Sequence, residues 1–186
     1  MTRATGPFTA SIVAVAEWAR RRPVRVALVL VAVTCDAVLL GGLGDSAMPP
    51  PLDLRLAYMP GEARRFLAAA TPAQRARMIE FGSVDLVFLA AYGLLLLGLA
   101  RSLLDRLARA GRAVRGVWPY GLALSPALAD LVESATILAV NRGLQSGRAP
   151  VAAVYGVMAA ATPLKWLGFL AVAGWMLLAW RRGRAA

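Results

Sequence analysis

VAAVYGVMAAATPLKWLGFLAVAGWMLLAW, residues 151–180, decides the fold: in this run one residue alone, Lys165, carries a charge. At about 1.5 Å per residue, a helix of that length exceeds the roughly 30 Å hydrocarbon core of a bilayer. Three further apolar stretches accompany it, at about 24–43, 84–104 and 116–140. The chain has 186 residues, 59% of them hydrophobic, with a mean hydropathy of +0.62. That composition excludes an ordinary soluble domain. The expected fold class is all-α: a polytopic membrane protein, one four-transmembrane-helix bundle over residues 1–186.

The segments between the spans carry their own signals. In residues 8–19, Phe8, Ile12, Val15 and Ala19 recur at helical spacing, and Trp18 precedes Arg20, Arg21 and Arg22. The segment is too short to span, so an N-terminal interfacial helix is expected. The first span could be mistaken for a signal peptide. Its preceding segment is long, Asp36 interrupts it and no small-residue cleavage site follows, so it reads as uncleaved. Gly41 to Asp45 and Pro49 to Pro51 end it.

Residues 44–82 form the first outer loop. Pro60 opens a short helix there with Arg64, Arg65 and Phe66, and Thr71, Pro72 and Gln74 form the start of the second long helix. That helix should stop near Ala110–Gly111. The segment 141–150 reads as a short turn, making the last two helices antiparallel neighbours.

The net charge of +11 comes from twenty arginines and one lysine against ten acids. The arginines lie between apolar stretches and not along one face, which fits an anionic leaflet and excludes nucleic acid as the expected partner. Thirteen arginines fall on the N-terminal segment, the second loop and the C-terminus, against seven in the first and third loops. Both termini are therefore expected on the cytoplasmic side of the cell membrane. Trp118 and Trp180 then fall at the inner interface. The absence of histidine excludes His-ligated zinc, His-ligated haem and Ser-His-Asp catalysis. Cys35 is the single cysteine, so no intrachain disulfide forms. No nucleotide or phosphate-loop motif is present, and no cofactor, metal or catalytic residue is assigned. The preference for Arg, Ala and Gly over Lys resembles a GC-rich bacterial composition.

The chemistry concentrates in the intramembrane charges. A charge at the centre of a spanning helix costs on the order of 2.5–3.5 kcal/mol. Lys165 falls at the midplane, while Asp36, Asp85, Asp130 and Glu133 all fall in the outer half of their spans. Asp130 and Glu133 are three apart and share a face, as do Asp85, Phe88 and Tyr92, and Met158, Thr162, Lys165 and Phe169. Lys165 should pair with Asp130 or Glu133, with Asp36 a neighbour, Asp85 the entrance acid and Tyr92 a polar lining. Pro126 and Pro163 free carbonyls near residues 122 and 159, beside these charges. Interrupted helices of that kind border solute and ion sites in transporters. Trp166 next to Lys165 reads as a packing residue, and Gly156 with Ala160 as a helix-packing face.

Three readings follow. The first is binding or movement of a small solute or protons from the outer side. The second is an integral-membrane enzyme acting on a lipid or isoprenoid with Asp130 and Glu133 as acid and base. The third is a structural or accessory subunit whose Lys–carboxylate pair fixes register. The sequence leans away from the enzyme. Asp130 and Glu133 with Asp36 could also hold a divalent cation, although an Asp-x-x-Glu spacing alone is weak.

Asp85, Phe88 and Tyr92 in the second span, Asp130 and Glu133 in the third and a lysine in the last resemble a group of bacterial four-span integral membrane proteins. Their spans read roughly Asp-x-x-Phe-x-x-x-Tyr and Asp-x-x-Glu-Asn. Ser134 stands here in place of the Asn. The resemblance covers about residues 55–180; it implies the four-span fold and the choice of residues, and no settled activity.

Overall fold

The computed structural model describes residues 7–43, 52 and 55–183; at 40, 42 and 43 only the backbone is described. Six helices and no strand occur among them: α1 Pro7–Ala19, α2 Arg22–Leu43, α3 Pro60–Ala69, α4 Pro72–Arg109, α5 Trp118–Gln145 and α6 Ala152–Arg182. Of the stop signal expected at Gly41–Asp45 and Pro49–Pro51, residues 41–43 still belong to α2 and the rest lies outside the described residues.

Local chemistry sets the helix ends. Thr71 accepts from the Gln74 amide at 3.2 Å while Gln74 returns a bond to the Thr71 amide at 2.9 Å, with Pro72 at the first helical position. This is the capping box expected from sequence. Pro60 opens α3 likewise. The Arg75 guanidinium then donates to the Leu67 and Ala70 carbonyls, both at 2.9 Å, satisfying the orphaned end of α3 and fixing its corner with α4. Gly111, at φ +71°, and Gly147, at φ +75°, terminate α4 and α5 in the left-handed region that favours glycine. The expected turn over 141–150 is shorter than anticipated: α5 continues to Gln145, so Asn141 is buried inside a helix.

Three helices, α4, α5 and α6, are long and apolar enough to cross a membrane. Four were expected. The expected first span coincides with α2, which carries Arg22, Arg25 and Asp36 in 22 residues, and its apolar last turn is only partly described. The count of three is of the described residues.

The core is a three-helix unit of α4, α5 and α6, with α2 against α4 and α3 against α6. The α5–α6 hairpin is antiparallel, and each step of three or four residues along α5 meets an equal step back along α6. Pro126 faces Gly168, Asp130 faces Lys165 and Glu133 faces Thr162. A Cβ on Gly168 would lie 3.0 Å from the Pro126 nitrogen, so this close approach requires glycine. The packing face expected at Gly156 and Ala160 is not used: nothing lies within 4 Å of a Cβ at Gly156, and Ala160 is exposed. Pro126 leaves the Leu122 carbonyl without its helical donor, and the Ser125 hydroxyl supplies one at 2.8 Å.

α1 does more than lie beside the bundle. Ala16 and Ala19 are fully buried, with Ala16 in a cluster with Leu97, Ala100, Tyr120 and Ala123. A Cβ on Gly98 would fall 2.8 Å from the Ala19 carbonyl, so the two backbones nearly touch. At the same contact Arg101 bonds Glu17 at 3.0 Å, Arg20 also pairs with Glu17, and Asp105 lies 3.1 Å from Arg20 and 3.3 Å from Arg101. Of the periodic stripe expected on this helix, Ile12 and Ala19 face the bundle, whereas Phe8 and Val15 are exposed and Ala16 takes their place in the contact.

Two outcomes follow. Gly98→Val should destabilise the fold by about 1–3 kcal/mol through overpacking and expose α1 to protease; unchanged melting and digestion would refute the close approach. Hydrogen bonds from Arg20 and Arg101 hold the Glu17 carboxyl below its ordinary value of 4.5. A depressed folded-state value means stabilisation present above 4.5 and lost as pH falls through the lower folded value. Amide protection factors in α1, corrected for the intrinsic slowing of exchange in acid, should therefore fall as pH drops, and Glu17→Gln should abolish that fall.

Candidate functional site

Three helices and one loop segment deliver polar side chains to one buried point. Lys165 of α6 donates to Asp130 Oδ1 at 2.9 Å, and its Nζ lies 3.0 Å from Glu133 Oε2. The second contact is an ion pair off hydrogen-bond alignment, since Glu133 Oε2 has no hydrogen-bond partner by angle. Lys165 had been expected to pair with one acid or the other and touches both. The i, i+3 spacing of Asp130 and Glu133 makes this possible, because one compact ammonium fits between two carboxylates a turn apart.

The remaining carboxylate oxygens are also engaged. Tyr92 of α4 donates to Asp130 Oδ2 at 3.1 Å. Tyr58, just before α3, donates to Glu133 Oε1 at 2.9 Å, and the Thr162 hydroxyl also donates there. Exposure is 7% for Asp130, 4% for Lys165 and zero for Glu133 and Thr162. Charges so far from water persist only when paired and hydrogen-bonded. One ammonium against two carboxylates still leaves one negative charge in excess.

The surroundings differ on the two sides. On one side Tyr92 meets Phe88, one turn nearer the α4 N-terminus, in a tilted contact (centroids 5.2 Å) and Phe169 at 5.6 Å, and Phe169 meets Trp166 at 6.0 Å. With Leu89 and Ala127 these rings make an apolar plug. On the opposite side Tyr58, Ala63 and Leu67 pack with Val140, Tyr155 and Met158, so the 58–67 segment forms a lid. Trp166 Nε1 donates to the Arg55 carbonyl at 2.9 Å, tying the lid to α6. Trp166 was expected only to pack, since adjacent helical residues face apart; its indole nevertheless lies 5.7 Å from the Lys165 ammonium because that long side chain bends toward it.

Asp85 stands apart from the Lys165 contacts and accepts from Ser134 at 2.5 Å, joining α4 to α5. Asp36 is not brought to the cluster: it is exposed on α2, which packs on α4. Depth along a span set that expectation, and rotation about the helix axis overrode it. Asp36 therefore does not join Asp130 and Glu133 around a cation, and no group of three potential metal ligands occurs among the described residues.

Sequence reasoning missed Tyr58, Thr162, Ser134 and Asn141 as members of the polar layer. Thr162 shares the Lys165 face and was findable on that ground. Tyr58 lies in a loop with no periodicity, so nothing local marks it. Asn141 is fully buried one helical face beyond Glu133; its Nδ2 donates to Ile137 at 3.0 Å, and its Oδ1 has no partner among the described residues.

No family model, curated protein or solved structure matches the chain. The resemblance to bacterial four-span proteins thus rests on the quoted residues alone. Of those, Tyr92 and Asp130 bond each other, Glu133 meets Lys165, and Ser134, at the departing position, bonds Asp85.

Lys165→Met strands two buried acids and should cost about 3–5 kcal/mol. Adding Asp130→Asn and Glu133→Gln should return most of it, read as thermal unfolding in detergent. A triple variant no more stable than Lys165→Met would refute the charge-pairing account.

Proposed function

We propose that this chain is a four-span protein of the cell membrane with both termini cytoplasmic, and that its Lys165–Asp130–Glu133 cluster binds and passes protons or a small cationic solute reached from the outer side. Three apolar helices of spanning length support the membrane reading. α2 serves as the fourth span, and the arginine distribution supports the orientation. One observation carries the functional reading: two buried carboxylates lie within 3.0 Å of a single ammonium. The surplus negative charge inside an apolar bundle is offset by one bound proton or cation.

The two sides of the cluster give direction to access. The aromatic plug around Tyr92 and Phe169 closes the inner side. The outer side is closed by Tyr58 and α3, attached through the Tyr58–Glu133 bond and a small apolar contact. Displacing that lid opens a path to Glu133 first and Lys165 next. Tyr92 and Thr162 orient the carboxylates, and Asp85 with Ser134 lies in the same polar layer.

A second reading has one observation in its favour. Every member of the cluster is at most 7% exposed, as a register-fixing pair would be. Proteoliposomes with a trapped pH dye separate the two. The transport reading expects wild-type flux under a pH gradient, loss of at least tenfold in Asp130→Asn with folding retained, and partial loss in Tyr58→Phe. The structural reading expects changes in melting temperature alone. A wild-type protein with no flux overturns the transport reading.

A further inference from the structure

The arginines near the α1–α2 turn fall into two groups. Arg20 and Arg101 are consumed by Glu17 and Asp105. Arg21, Arg22 and Arg25 are exposed and have no ion pair among the described residues. Arg22 and Arg25 are three apart on α2 and share a face. From Arg22 a shallow trough of about 450 Å³ runs along Pro23, Val26, Ala27 and Leu30, with Arg25 one turn from its mouth and outside the lining. The small Ala27 side chain lies between the bulkier Pro23, Val26 and Leu30, and the guanidinium is at one end only.

A trough with a cationic mouth and an apolar floor matches an amphiphile with an anionic head. From Arg22 to Leu30 the helix rises about 12 Å, enough to lie along the upper half of an acyl chain. Guanidinium binds phosphate through paired N–H donors. Val26 and Leu30 are 53% and 62% exposed, so the floor is uncovered by the chain itself. We propose that the first two turns of α2 form a binding site for one anionic phospholipid, its phosphate on Arg22 and Arg25 and an acyl chain along Pro23, Val26, Ala27 and Leu30. The inference rests on the membrane reading above and is independent of what the Lys165 cluster carries. The occupied site would seal the flank of α2 next to the ion-paired α1–α4 contact, bracing the peripheral helix against the bundle.

The test uses the full chain in nanodiscs holding equal phosphatidylglycerol and phosphatidylcholine, released into the gas phase for native mass spectrometry. Stable incorporation checks the membrane reading separately. Retention of one phosphatidylglycerol in preference to phosphatidylcholine is expected. Arg22→Gln/Arg25→Gln should reduce that preference about tenfold or more, given the contribution of each basic residue near an anionic surface. Leu30→Trp, which fills the trough without changing charge, should also reduce it. Arg112→Gln/Arg115→Gln, an equal loss of charge elsewhere, should not, and excess inorganic phosphate should not displace the lipid. Equal retention of both lipids, equal loss in both double variants, or full displacement by phosphate would overturn the proposal.

Discussion

An ammonium held between two carboxylates inside apolar helices is the constraint around which the bundle is arranged. None of the three charges is tolerable there alone, so their helices must meet in one register. Lys165 reaches both Asp130 and Glu133 only when α6 lies antiparallel to α5 with Gly168 against Pro126. Pro126 and the missing Cβ at Gly168 thus belong to the same device as the charges one turn away. A lysine suits this position where every other basic residue is arginine. A compact ammonium sits between acids a single turn apart, whereas a planar guanidinium presents a fork suited to one carboxylate.

Legibility in the sequence followed the distance over which each interaction acts. The α3 start was readable from Pro60 and the α4 start from a capping box that spans four residues. The Lys165 partners were readable because a short turn forces α5 and α6 together and the acids share a face. The α2 prediction failed at Asp36, since depth in a span says nothing of rotation, and α2 meets the bundle mainly through α4. Docking of α1 was only partly legible, for a different reason. Ile12 and Ala19 of the periodic stripe do face the bundle, but the closest approach is at Ala16, Ala19 and Gly98, whose small size does not single them out in sequence.

The site is asymmetric in its materials. One wall is made of aromatic rings on long helices, and the other is a loop tyrosine and a ten-residue helix. Rings packed between long helices move only with the helices, whereas a short amphipathic segment opens at lower cost. Such a difference in stiffness is what a protein needs if one face of a buried site is to open while the other stays shut.

The Tyr58–Glu133 bond joins residues 75 apart in the chain. It fuses the outer loop to the deepest acid of the core, so the loop is a lever and not a tether. Movement of the segment at residue 58 acts directly on the Glu133 carboxylate through this bond. The segment before α3 is therefore joined to the interior by a direct bond to a buried carboxylate, beside the Trp166–Arg55 tie and the apolar contact below it.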